Sequence, residues 1–319
     1  MLWFLLRRTF LGALVLWLIT MGVFALFFVT PNNVARSLAG RQATPETIQL
    51  VEARLGLDQP IWKQYLDFVR NALHGDLGYD YYHQQPVTEI IVAALPITVS
   101  LAVGAAVLWM LLGVTNGVIS AVRSGSFADR ALTTFALFFY SMPTFLLGLL
   151  LLYFLYFQLT LSGYPFFPPG GYVPFTDDPY EWTRHMVLPW VTLALVLAAT
   201  YTRLTRGSML DVLGEDYIRT ARSKGLRESR VVVVHGLRSA LTPVVTQFGI
   251  DLGQLVGGVV VTETVFSMPG LGKTAIDAIN RQDLPVILGI VLFASAAVVV
   301  ANILVDLAYA MLDPRVRLH

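Results

Sequence analysis

Long apolar runs recur along this chain, and nothing constrains its fold more. They lie at 10–29, 93–119, 131–158, 186–204, 240–262 and 284–311. A helix needs about 20 apolar residues to cross a hydrocarbon core roughly 30 Å thick. Only helices or closed barrels satisfy every backbone N–H and C=O in that medium. Charged residues make up 13% of the sequence, well below the roughly 25% of soluble domains. The expected fold is therefore all-α and integral to the membrane, with six transmembrane helices and the lipid bilayer as solvent. A net charge of +1 gives no reason to expect nucleic acid as a partner, and the absence of cysteine excludes disulfides, thiolate nucleophiles and Cys-ligated metals.

Arg7 and Arg8 precede the first run, as positive charge precedes a signal peptide. The run is longer than a signal core, however, and FVTPNN beyond it offers no small-x-small cleavage site. Residues 1–29 thus read as an uncleaved transmembrane helix. Residues 30–92 read as a small extracytoplasmic insertion, in which Ile61, Tyr65, Leu66, Phe68 and Val69 predict an amphipathic helix. Residues 93–319 read as a core of five helices, interrupted by a polar loop at 205–239. An even number of spans puts both termini on one side. Arg7, Arg8, Arg123, Arg130, Arg315 and Arg317, with eight basic residues from Arg203 to Arg238, crowd that side. The short connections opposite hold only Arg184, Lys273 and Arg281. The positive-inside rule makes the crowded side cytoplasmic.

No catalytic or metal-binding constellation emerges. PGLGKT at Pro269–Thr274 resembles the end of a phosphate-binding loop, but Ser267 stands where the first glycine belongs, no strand precedes it, and it falls outside the cell. Gly270 and Gly272 are expected to shape an external turn. The histidines are scattered without i, i+4 spacing. In the fifth run, Gly249, Gly253 and Gly257 form a small-residue stripe suited to close helix packing. Gln247, Asp251 and Gln254 lie roughly opposite, suggesting either a wet face along a translocation path or a polar cluster between helices. Tyr140 and Ser141, beside Pro143, mark a kink that could line the same path. Asp306 lies near the cytoplasmic end of the last run, where snorkelling or a local pair is the expected explanation.

Gly214–Arg230, GEDYIRTARSKGLRESR, is a basic island between two spans. Asp216 suits an N-cap, and Lys224 followed by Gly225 suits a left-handed stop, so a helix of about two turns is expected. A helix that short is marginal in water and needs something to dock against.

The island and its sequel, GEDYIRTARSKGLRESRVVVVHGLRSALTPVV, resemble the cytoplasmic loop of binding-protein-dependent ABC importer permeases. In that loop the motif is E-A-A, three residues, Gly, nine residues, Ile-x-Leu-Pro. Here Arg219, Thr220 and Ala221 take the E-A-A places, Gly225 the glycine, and His235, Leu237 and Arg238 the last three; Ala221, Gly225 and Leu237 match. The remainder is similar to the oligopeptide/dipeptide branch, with its D-Y-[IV]-R-T-A-[RK]-[AS]-K-G-L. LGLDQPIWKQY, HGDLG, TETVFSMPGLGK and LDPRVR extend the likeness over most of the chain.

The resemblance implies a type I ABC importer permease fold in the bacterial inner membrane. It further implies a second homologous permease, two ABC ATPase subunits holding ATP and Mg²⁺, and an extracytoplasmic peptide-binding protein. This chain would bind no cofactor and have no ATPase site of its own. Asp216, Tyr217, Ile218, Arg219, Thr220, Ala221, Lys224 and Gly225 would contact or shape the joint with an ATPase. Tyr217, Thr220, Ala221 and Lys224 share one helical face by spacing. Nickel or another small solute is the alternative cargo, and an ion-coupled secondary transporter the alternative class.

Overall fold

A computed structural model describes residues 2–25, 44–46, 49, 59–80, 83–281 and 283–312. The side chains of 2–6, 253–254, 256–258, 284 and 304–312 lie outside that description, as do Gln254, Asp306 and the C-terminal LDPRVR beyond Leu312. The helices are α1 (Leu2–Phe24), α2 (Ile61–Leu73), α3 (Val87–Val122), α4 (Phe127–Tyr140), α5 (Thr144–Leu151), α6 (Pro179–Leu213), α7 (Asp216–Ser223), α8 (Arg238–Val265), α9 (Leu271–Arg281) and α10 (Leu284–Leu312). A two-residue antiparallel ladder, β1 (Tyr79–Asp80) with β2 (Gln85–Pro86), precedes α3. Among the described residues, six helical runs are long and apolar enough to cross a membrane.

Two of the expected boundaries change. The third run is not one span: α4 stops at Tyr140, and the apolar run of membrane length is Thr144–Leu161, which passes through a π-helical stretch at Leu152–Gln158. Pro143 is the cause, since it lacks an N–H and disfavours helical geometry at Met142. The polar loop is also shorter than 205–239. α6 continues to Leu213 because Met209 packs with Ala121, Val232 and Ala240. After a single turn at Glu228–Arg230, a second π-helical stretch, Val231–Leu237, leads directly into α8.

The chain forms two compact units. In the first, mainly Met1–Leu95 and Thr274–Leu307, Phe24 of α1 meets Tyr65 and Phe68 of α2 at ring separations of 5.3 and 6.0 Å. Tyr65 also shares a 2.8 Å hydrogen bond with Thr20. Val23 buries against Leu288 and Leu292 of α10. The expected stripe of α2 is thus only partly used, since Ile61 and Leu66 remain exposed.

The second unit, mainly Pro96–Lys273, contains the larger core, in which Trp109 of α3, Tyr201 of α6 and Phe248 of α8 converge. Close approach of α3 to α6 depends on Gly113 and Gly117. A Cβ on Gly113 would fall 2.3 Å from the Tyr201 side chain, and one on Gly117 would fall 2.8 Å from the Thr202 carbonyl oxygen. The sequence reading placed its small-residue packing stripe on α8 instead. There Gly249 is buried, while what surrounds Gly253 and Gly257 falls outside the description.

Candidate functional site

α7 is the island helix, eight residues long. Its N-cap is Glu215, not Asp216, and no side chain caps it. Asp216 instead occupies the first turn, where its charge favours the positive end of the helix dipole. The C-terminus closes in a Schellman motif: the Gly225 N–H donates to Arg222 O at 2.9 Å and the Leu226 N–H to Ala221 O at 3.4 Å. Gly225 holds φ +74° there, a conformation open to glycine at little cost.

The helix is not an orphan on its inner side. Ile218 is fully buried and Ala221 nearly so, packing with Val231, Val212, Leu213 and Leu226. The chain's own span ends therefore provide half of the docking surface that the sequence reading found missing. This also corrects the expected face. Ala221 turns inward with Ile218, leaving Asp216, Tyr217, Arg219, Thr220 and Lys224 outward, with Tyr217 45% exposed. Arg222 bonds Glu228 with a 2.8 Å contact from Nη2 and longer ones from Nε, joining the last turn of α7 to the turn at Glu228–Arg230. The Arg219–Asp216 pair, at 3.6 Å, is exposed and adds little. A short polar ridge with one aromatic residue thus faces outward, while the apolar side of α7 packs on the end of α6 and the start of the π-helical stretch that leads into α8.

Of the residues expected along a translocation path, the side chains of Gln247, Asp251, Tyr140 and Ser141 are described. Gln247 and Asp251 do meet: the Gln247 amide donates to Asp251 Oδ1 at 2.9 Å, and the buried Tyr201 hydroxyl donates to Oδ2 at 2.7 Å. Each carboxylate oxygen thereby accepts one bond where α6 packs against α8. Tyr140 lies elsewhere, beneath the Arg203 guanidinium at 5.5 Å from the ring centroid. The Ser141 hydroxyl donates to Leu137 O and closes the end of α4.

Of the acids buried among the described residues, Asp80, Asp129 and Glu263, the last two sit between elements of the second unit. Glu263, fully buried, lies one residue past the fifth apolar run. Its Oε1 accepts from Thr98 at 2.6 Å and its Oε2 from the Lys273 N–H at 2.9 Å, while Thr98 in turn accepts from the Leu271 N–H. The PGLGK turn wraps this carboxylate, and a Cβ on Gly270 would lie 2.2 Å from Oε1. That is the physical sense of the glycines read as an external turn. The signal available in the sequence was an acid at the edge of an apolar run, followed at once by a Gly-rich turn. The second acid, Asp129, receives both arms of Arg206 at 2.8 and 2.9 Å, the Ser120 hydroxyl and the Gly125 N–H. These donors hold its carboxyl well below the usual carboxylate range, the Arg206 bonds most of all. Ser126, which caps α4 by accepting from the Asp129 N–H, gave the local signal; Arg206, far along the chain, gave none.

Comparison with known proteins gives the same fold. The chain is 39% identical to the dipeptide transport system permease protein DppB of Escherichia coli K12, covering 99% of each chain. It is 38% identical to the probable peptide ABC transporter permease protein y4tP of Sinorhizobium fredii, over 98% of this chain and 99% of that one. A putative peptide transport system permease of Brucella abortus is 40% identical over 98% of both. Among solved structures, an inward-facing form of the MetNI methionine ABC transporter matches with a TM-score of 0.54 at 18% identity, over 70% of this chain and 96% of that one. This likeness identifies the architecture as the type I ABC importer permease fold. Residues 1–102 match the N-terminal model of binding-protein-dependent transport system membrane components. Residues 113–318 match the model of their inner membrane component, and the chain belongs to that family of ABC importer permeases.

Proposed function

We propose that the chain is one of two permease subunits in an ATP-driven importer of peptides, and that α7 is the joint through which two ATPase subunits drive it. An extracytoplasmic peptide-binding protein delivers the cargo. ATP and Mg²⁺ reside on the ATPase subunits, and this chain contributes no nucleotide site. Both termini, like α7, face the cytoplasm of a bacterial inner membrane.

The observation that carries this reading is the two-sided character of α7. Its apolar side is fixed to the ends of two membrane-length runs, while its outward ridge of Tyr217, Thr220 and Lys224 is exposed among the described residues. Displacing such a helix tilts the spans behind it, as in hinge-type alternating access. The names of the relatives support peptides as cargo.

The test is uptake into vesicles holding the complete complex and a loaded binding protein. Peptide should accumulate with ATP and stop when ATP is depleted. Accumulation by the permeases without ATPase subunits would refute the proposal in favour of a self-sufficient transporter.

A further inference from the structure

α6 carries two arginines one turn apart, in opposite electrostatic situations. Arg206 is neutralised by Asp129 through a two-armed contact. Arg203 is exposed, and among the described residues no carboxylate lies within ion-pair distance of it. Its guanidinium lies over the Tyr140 ring, 5.5 Å from the centroid. Stacking over a ring occupies the face of a guanidinium and leaves its edge N–H donors free, in a fork that matches a carboxylate.

The surroundings have the form of a subsite. Arg203, Tyr140, Thr133, Thr202 and Arg206 line a cavity of about 220 Å³ whose remaining wall is small and apolar. That is room for one terminal residue, not for a whole peptide. Tyr140 is the last residue of α4, where the chain leaves helical geometry before Pro143. Irregular backbone among membrane helices is tolerated where it lines a cavity or is buried in protein, and interrupted helices recur at transport sites. Arg203 lies at the cytoplasmic end of the apolar run 186–204 and is exposed, so an anion in this cavity can reach it. Asp251, the charge first expected to meet cargo, accepts from Tyr201 and Gln247 where α6 packs against α8. Of the two arginines lining this cavity, Arg203 is the one with no acidic partner among the described residues.

We propose that Arg203, held over Tyr140, is an anion subsite on the translocation path that takes the C-terminal carboxylate of the passing peptide. The proposal rests on the peptide reading above. The complete complex is reconstituted in phosphatidylethanolamine vesicles, with and without phosphatidylglycerol. It is supplied with saturating binding protein loaded with a tripeptide or with its C-terminal amide, both chosen to load equally. At saturation capture is equal, so the rate reports passage.

Arg203→Gln should slow the free acid roughly tenfold, the scale of one lost charge-assisted hydrogen bond, and leave the amide unchanged. Arg203→Lys should fall between. Equal losses for both peptides, or no loss, would overturn the subsite. A loss confined to vesicles with phosphatidylglycerol, whatever the peptide, would assign the pocket to a lipid phosphate and overturn it too. If the wild-type complex moves neither peptide, the peptide reading fails first and the subsite falls with it.

Discussion

Gly225 offers the sharpest test of α7 as a rigid joint. At φ +74° it ends the helix, and no atom lies within 4 Å of where a Cβ would sit. Substitution there therefore measures backbone strain without a steric clash. Alanine in the left-handed region costs roughly 1–2 kcal/mol, whereas asparagine visits that region routinely and should cost less. Proline forces φ to about −65° and removes the N–H that donates to Arg222 O at 2.9 Å. It should cost ~3 kcal/mol or more and unwind the last turn of an eight-residue helix. A cost of 1–2 kcal/mol changes the population of the closed helix by roughly 5–30-fold. The readout is peptide transported per ATP hydrolysed in the reconstituted complex, with membrane insertion and subunit assembly as controls. The ratio should fall in the order Gly, Asn, Ala, Pro. Gly214→Ala is the internal control, because Gly214 lies outside the left-handed region and a Cβ there would make only ordinary contact with Asp211 O at 3.4 Å; it should be near neutral. A proline variant with an unchanged ratio, or asparagine no better than alanine, would refute the reasoning.

The two faces of α7 should separate in the same assays: Ile218→Ala, at a fully buried position, should cost about 2–5 kcal/mol locally and lower the thermal midpoint, whereas Tyr217→Ala should leave the midpoint alone and reduce transport per ATP. Glu263→Ala should strand the Thr98 hydroxyl and the Lys273 N–H, at about 1–3 kcal/mol for each group left unpaired, visible as earlier thermal unfolding; Glu263→Gln should recover part of the loss by keeping an acceptor. Burial, with the Asp80 carboxylate beside it, raises the Asp283 carboxyl to about 6. Its proton is thus held more tightly in the folded state, so the group's contribution is most favourable below about pH 4 and declines as pH rises through 6. Asp283→Asn should flatten the pH dependence of thermal stability across that interval and stabilise the protein at pH 7; an unchanged slope would refute the assignment.

Much of the fold was legible because lipid imposes a single requirement, and apolar length meets it wherever it occurs. The runs at 93–119, 186–204 and 240–262 all lie inside helices of the structure. Pro143 was visible in the sequence as a kink; that it splits the third run became clear only from the termination of α4 at Tyr140. The C-terminal stop of α7 was legible for a local reason, since a Lys-Gly pair after a polar turn encodes its own geometry. Its N-cap was not, because Glu215 and Asp216 are both acceptable nearby acids and the path out of α6 chose between them.

By itself, then, the sequence determined the membrane class, the number of spans, the family and the position and length of the short basic helix. Each follows from local composition or from a motif contiguous in the chain. Tertiary structure alone decided which side of α7 is covered, that Asp251 is bonded to Tyr201 fifty residues away, that Glu263 is enclosed by its own following turn, and which of two neighbouring arginines is left without an acidic partner. The physical reason is the same in every case. Periodicity says which residues share a face, but burial and pairing depend on what another helix brings to that face. Ala221 turns inward because Val231 and Leu226 meet it there, and Asp129 closes on Arg206 while no described carboxylate reaches Arg203.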